Sequence, residues 1–183
     1  MAHLNSLPDD AVLMDVFRAY PETSRPLLDY HELVMRGPSE LTAGERELIA
    51  AYVSGLNSCD YCHGVHTATA QAFGVDEGLV VALLDDVDAA PVEAQMKPVL
   101  RYVRKLTLTP SRLTAADAEA VLAAGWDEQA LHDAASVCGL FNLMNRLVKG
   151  LARDGYASLL APPTAPDAGP GGVAGDDEPP ETP

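Results

Sequence analysis

Residues 59–66 read CDYCHGVH, two thiols and two imidazoles in eight positions, and three chemistries share those letters. CxxCH is the pattern through which c-type haem is attached, CxxCxxxH supplies most of a zinc site, and a bare CxxC is a redox dithiol. If Ser58 caps a helix that starts at Cys59, that thiol lies in the first turn, where free backbone amides and the helix dipole favour a thiolate. Cys59, Cys62 and His66 then fall at i, i+3 and i+7 and share a face. A thiol with a pKa of about 8.5 is only about 3% ionised at pH 7, so a nucleophilic cysteine needs help. His66, one turn past Cys62, is placed to take its proton.

An imidazole base works best when a third group fixes its tautomer, so an acid aimed at His66 is expected. The candidate is Glu47, in the helix before the cysteines. Two helices joined by the short turn GLNS can pack together and bring Glu47 near the cysteine end of the second, while Glu45 is used by a capping box with Thr42. His63 points about 100° away from Cys62 on a helix and reads as a surface or interface residue. His31, beside Tyr30, suits either a substrate entrance or a packed amphipathic face; His3 and His132 read as solvent-facing. Cys138 lies in an apolar stripe with Leu131, Ala134, Ala135 and Phe141, the setting of a buried inert thiol. Asn142, Asn145 and Arg146 need polar partners, either in a buried network or oligomer contact or in substrate binding. Trp126 reads as an anchor at a helix start.

The elements that must position these groups are short helices. Asp9 and Asp10 can cap AVLMDVFRAY before Pro21, and Ser24 can cap RPLLDYHELVMR before Gly37. Thr42 opens a helix to about Gly55; Asn57 or Ser58 opens one from Cys59 to Phe73, closed by Gly74; Asp76 opens another to about Asp85. Pro98 fits a first helical position for VLRYVRKLTL, which Pro110 stops. Thr114 with Asp117 starts a helix ending before Gly125, and Asp127 caps the last, closed by Gly150. No strand-like alternation competes. The expected fold is an all-α bundle of about eight helices over residues 1–160. Residues 161–183 hold seven prolines, four glycines and five acids with no basic residue, a composition expected to give a disordered acidic tail.

Composition narrows the function classes. Apolar residues make up 48% of the 183-residue chain and aromatics only 5%, which favours helices packed through small side chains. Twelve Lys and Arg against twenty-seven Asp and Glu give a net charge of −15, which repels phosphate backbones and anionic membranes. The opening MAHLNSLPDDAVLMDVFRAYPE has no basic, apolar or small-residue signal pattern, and no run approaches a membrane span. A soluble, cytoplasmic protein is expected. In that compartment three cysteines favour redox or metal use over a disulfide framework. Haem attachment needs export and a second axial ligand. A structural zinc needs four ligands, and no second CxxC or HxxxH supplies them, although Glu47 or His63 could contribute. A CxxC with no chemistry, two small buried side chains, is the remaining alternative to a redox dithiol.

The spacing Glu47-x11-Cys59-xx-Cys62-xxx-His66, with LTAGERELIAAYVSGLNSCDYCHGVHTATAQAFGVD and FNLMNRLVKGL around it, resembles the alkylhydroperoxidase D (AhpD) family of the carboxymuconolactone decarboxylase superfamily, in its peroxidase-related branch. The resemblance spans most of Leu41 to Leu151. It implies an all-α fold assembling as a trimer or hexamer, and a thiol peroxidase or thiol–disulfide oxidoreductase that needs no cofactor. It further implies that Cys62 attacks a hydroperoxide, Cys59 resolves the sulfenic acid to a disulfide, and His66 and Glu47 relay the proton, with Glu47 both orienting His66 and receiving it. A dithiol partner then restores both thiols: a lipoylated protein, a thioredoxin-like protein or a small thiol. The helix-end argument instead makes Cys59 the more acidic thiol. His66, a specific base one turn from Cys62, tips the order toward Cys62. Members with the fullest relay carry a histidine between the cysteines, where this chain has Tyr61. The competing class is a non-redox relative, a decarboxylase-like lyase or a structural oligomer, but lyases of the superfamily generally lack the CxxC.

Overall fold

A computed structural model describes residues 1–154; the acidic Pro/Gly-rich segment expected over 161–183 lies outside them. Among the described residues the chain forms eight α-helices: α1 Leu13–Ala19, α2 Pro21–Arg36, α3 Ala43–Leu56, α4 Asp60–Ala72, α5 Leu79–Asp85, α6 Met96–Leu108, α7 Ala115–Ala123 and α8 Glu128–Leu151, with a 3-10 turn at Pro110–Arg112. This is the expected all-helical architecture. None of these helices is long and apolar enough to cross a membrane.

The core is organised on α3. Ten successive or near-successive residues from Gly44 to Ser54 are buried, Arg46 and Glu47 among them, in a helix enclosed nearly all round that packs against α4, α5, α6 and α8. The longest helix, α8, spans about 36 Å and lays Ala134, Val137, Cys138, Phe141 and Val148 along its inner face. Where the chain leaves α8 it is stitched to the N-terminus: Arg153 N–H donates to Ala11 O at 2.8 Å and His3 N–H to Leu151 O at 3.1 Å. Those two bonds fix where Asp154 lies.

Several helix starts follow the sequence signals and several do not. The Thr42–Glu45 box forms reciprocally, with Thr42 N–H donating to Glu45 Oε2 at 2.7 Å and Glu45 N–H to Thr42 Oγ1 at 3.2 Å. Asp127 Oδ1 accepts from Ala130 N–H at 2.7 Å. Asp9 and Asp10, however, do not cap α1. Asp15 reaches back from inside the helix to Val12 N–H at 3.0 Å, satisfying the orphan donor from the other side. Ser24 is not the cap of α2 either. That helix begins at Pro21, whose missing N–H costs nothing at a first position, and the Ser24 hydroxyl donates to Tyr20 O at 2.7 Å. Gly78, with φ of 82°, precedes α5 in place of Asp76. Pro98 is third in α6, still within the turn whose amides need no partner. Gly74 does close α4: at φ 92° it lets Val75 N–H return to Ala70 O at 3.0 Å, whereas α8 runs through Gly150 to Leu151.

Candidate active site

Helices α3 and α4 form an antiparallel hairpin whose turn sets the site. Ser58 takes a left-handed conformation at φ 53°, and Cys59 N–H donates back to Ser54 O at 2.9 Å. Cys59 is therefore the N-cap of α4, with φ of −95° and ψ of 95°, and not its first-turn residue. Further along the hairpin His63 Nδ1 lies 3.0 Å from Ala51 O. A Cβ on Gly55 would come within 3.0 Å of that His63 nitrogen and 2.7 Å of a Leu84 methyl, so a larger residue there would push both side chains aside. His63 thus packs on α3 and takes no part in the Glu47–His66 contact.

Continuing the same antiparallel register, Glu47 meets His66 in the middle of α4, beyond the cysteine end where sequence reasoning had put it. Glu47 Oε2 is 2.6 Å from His66 Nδ1, and its Oε1 accepts from Arg36 at 2.5 Å. The carboxylate is 1% exposed. Burial alone would raise its pKa, but the hydrogen bonds from His66 and Arg36 outweigh that and hold it below the usual carboxylate range. An ionised carboxylate only accepts, so Nδ1 carries a hydrogen, and in the neutral ring the lone pair lies on Nε2. The His66 ring is fixed edge-on against Phe141, centroids 4.3 Å apart at 75°. His31 stands 6.3 Å from His66 and 6.0 Å from Phe141. Burial first, then the neighbouring His66, lowers its pKa, which favours the neutral ring.

Both sulfurs are buried free thiols, but they face different ways. Cys62 and His66 line a cavity of about 210 Å3 whose other walls are His31, Tyr61 and apolar side chains of α1, α2, α4 and α8. Cys59 is not among its walls. Its Sγ lies 3.8 Å from Asp154 Oδ1, an atom that also accepts from Tyr61 N–H at 2.9 Å, while Asp154 Oδ2 pairs with Lys149 at 2.5 Å. The two thiols shift each other's acidity in opposite directions. The Cys62 S–H donates to Cys59 and draws that thiol below its ordinary range, against burial and the Asp154 charge. The same pairing, together with burial, pushes Cys62 well up, and an Asn145 hydrogen bond opposes it.

A buried amide network holds this turn to α8. Asn57 Nδ2 donates to Asn145 Oδ1 at 2.9 Å and to Asn142 Oδ1 at 3.2 Å, and Asn145 Nδ2 donates to Ser54 Oγ at 3.0 Å. Arg146 bonds Asn142 O at 2.6 Å, and Cys138 lies 3.2 Å from Thr107 Oγ1. Asn142, Asn145 and Arg146 thus find the polar partners their side chains require, and Cys138 is raised by burial. Trp126 Nε1 donates to Gln95 O at 2.9 Å. His3 and His132 are exposed. Among the described residues no three His, Cys, Asp or Glu side chains converge as metal ligands would.

Three contributors were absent from the sequence reading: Arg36, Asp154 and the ring of Phe141. Arg36 had a signal, since a buried carboxylate bonded to one imidazole still has an oxygen to satisfy. Asp154, ninety-five positions from Cys59, had none.

The sequence model of the carboxymuconolactone decarboxylase family matches residues 21–105, a span that includes Arg36, Glu47, both hairpin cysteines and His66. Among solved structures the chain is similar to an uncharacterized peroxidase-related protein from Silicibacter sp., 30% identical over 74% of this chain and 73% of that one, with a TM-score of 0.68. It shares its fold with an alkylhydroperoxidase AhpD core, an uncharacterized peroxidase-related protein from Ralstonia eutropha, at 24% identity over 79% and 77% of the two chains and a TM-score of 0.72. No curated protein matches the sequence.

Proposed function

This chain belongs to the carboxymuconolactone decarboxylase family and is similar to a peroxidase-related protein, and from that premise we propose that it is a thiol-dependent peroxidase of AhpD type working through Cys62 and Cys59. The observation that carries the reading is the shared cavity of Cys62 and His66, with His66 held by a buried carboxylate. A thiol, an imidazole whose Nδ1 is tied to a carboxylate and mostly apolar walls stand together there, an arrangement suited to nucleophilic catalysis.

In the proposed cycle the His66 Nε2 lone pair takes the Cys62 proton. The thiolate attacks the terminal oxygen of ROOH, forming an S–O bond as the O–O bond breaks, and the imidazolium returns its proton to the leaving alkoxide as ROH. Cys59 then attacks the sulfenic sulfur, releasing water and forming the Cys59–Cys62 disulfide. An external dithiol, from a lipoylated protein, a thioredoxin-like protein or a small thiol, becomes oxidised as it restores both thiols by exchange. Access favours Cys62 as the attacking sulfur even though Cys59 is the more acidic thiol. Glu47, already paired with the Arg36 guanidinium, is a poor proton acceptor. Its role in this reading is to orient His66 and stabilise the imidazolium, as the third member of a triad does, with the proton held on His66. The cavity walls are mostly apolar, which suits organic hydroperoxides over hydrogen peroxide.

The test is a thiol titration before and after a stoichiometric dose of an organic hydroperoxide. Loss of two thiols, restored by dithiothreitol and absent in Cys62→Ser, is expected. An unchanged titre in the wild type would sink the peroxidase and leave a non-redox member of the family. Assembly as a trimer or hexamer is part of the same proposal and is read by sedimentation.

A further inference from the structure

Beside the cavity that holds Cys62, a larger cleft of about 350 Å3 lies between α1, α2 and α8, three of the four helices that wall the cavity. Phe17 borders both. The two linings interleave: on α1 the cavity takes Leu13, Met14 and Phe17 and the cleft Val16 and Phe17, with Tyr20 just past the helix end; on α8 the cavity takes Phe141 and Met144 and the cleft takes Leu143, Leu147 and Leu151. On α2 His31 lines the cavity, and Thr23 and Leu27 line the cleft. The cleft therefore adjoins the Cys62 cavity along one seam, with Phe17 as their common wall.

Size and chemistry say what would fill it. A volume of about 210 Å3 holds a peroxide group and a few carbons, short of the roughly 300–1,000 Å3 usual for small-molecule sites; with the cleft included, the space falls inside that range. No charged side chain lines the cleft. Leu143 is 45% and Tyr20 48% exposed, apolar surface that a hydrocarbon chain would cover. From Phe141 to Leu151, α8 rises about 15 Å, room for roughly a dozen extended carbons at bonds of about 1.5 Å.

We infer that the cleft binds the hydrocarbon tail of the substrate, so that the preferred hydroperoxides carry a long unbranched chain, with its peroxide end at Cys62 and its tail between α1, α2 and α8. The head-group half of this inference rests on the peroxidase reading; the tail half does not.

The experiment uses the full chain with dodecyl and tert-butyl hydroperoxide, and with the redox-inert alcohols dodecanol and tert-butanol. Wild-type thiols should be lost to dodecyl hydroperoxide at least about tenfold faster than to the tert-butyl compound, because each methylene withdrawn from water contributes. Thr23→Trp and Leu143→Trp, bulky side chains added at half-exposed positions on opposite walls, should collapse that ratio. Dodecanol should protect Cys62 from iodoacetamide at far lower concentration than tert-butanol. Protection without any peroxide consumption would support the cleft and sink the peroxidase. Equal rates together with equal protection would overturn the inference. So would tryptophan variants that change the sedimentation coefficient and leave the chain-length ratio intact, since the cleft would then be a contact between copies. The alcohol comparison needs only wild-type protein and decides the matter should either variant fail to fold.

Discussion

The two sulfurs of the hairpin are three residues apart, yet their surroundings have little in common. Cys62 opens on an apolar cavity and shares it with an imidazole whose other nitrogen is tied to a buried carboxylate. Cys59 is sealed from that cavity and sits at the head of α4 beside a carboxylate, an ammonium and the backbone amide of Tyr61. Each end would stabilise a thiolate by different means: a neighbouring base at one, a helix terminus at the other. The difference teaches that acidity and access need not coincide. The hydrogen bond from Cys62 makes Cys59 the more acidic thiol, off the cavity, and in the proposed cycle Cys62, which lines the cavity, hands its proton to His66.

The largest effect that would break this comparison comes from exchanging the sulfurs one at a time. Cys62→Ser should abolish peroxide-dependent thiol loss, whereas Cys59→Ser should still form one sulfenic acid per chain, trapped by dimedone and located by mass spectrometry. The reverse pattern would give the attack to Cys59. Next in size is His66→Ala. Losing a positioned base typically costs about 10²–10⁴ in rate. The expected outcome is a fall of that order in Cys62 alkylation at pH 7, with its midpoint moved to higher pH. No shift would remove His66 from the reaction.

Much of the Cys62 side was legible in the sequence and little of the Cys59 side was. Glu47, Cys62 and His66 lie on two consecutive helices, so heptad-scale spacing and one short turn suffice to bring them together. The Thr42 box also correctly removed Glu45 from contention. The error in where along α4 Glu47 arrives has a simple cause: an antiparallel hairpin pairs the early turns of α3 with the later turns of α4, and placing Glu47 at the cysteine end ignored the direction of the chain. Asp154 was out of reach because its place depends on the Arg153–Ala11 bond and on the exit angle of α8, tertiary facts with no local signature. The cap of α1 escaped for the opposite reason. Both sides of Val12 offered acids, and the sequence does not rank Asp9 or Asp10 against Asp15.

Arg36 sharpens the comparison from the His66 side. Because the Glu47 carboxyl is held below its unfolded pKa, it contributes stability that is fully present above the ordinary carboxylate range and is lost as pH falls through the folded value. Removing the guanidinium leaves a buried oxygen without its donor and raises that folded value. Arg36→Met should therefore cost about 2 kcal/mol at pH 7 and begin its acid unfolding at higher pH than the wild type, as followed by circular dichroism. Arg36→Lys should recover part of both. A variant with unchanged stability and an unchanged acid midpoint would show that Glu47 needs only His66.

The smallest effect belongs to the other sulfur. Asp154 occupies an amide that would otherwise favour a Cys59 thiolate and places a negative charge near it, so it opposes the advantage a helix terminus confers. In a Cys62→Ser background, which isolates Cys59, Asp154→Asn should move the alkylation midpoint to lower pH and raise the rate at pH 7 severalfold, a shift of less than about one pH unit. Lys149, freed from Asp154, would push in the same direction, so the Asp154→Asn, Lys149→Met double variant is needed. If the shift survives there, the carboxylate itself holds Cys59 back. If it vanishes, the freed ammonium was responsible, and the charged end of α4 would govern the resolving thiol through Lys149.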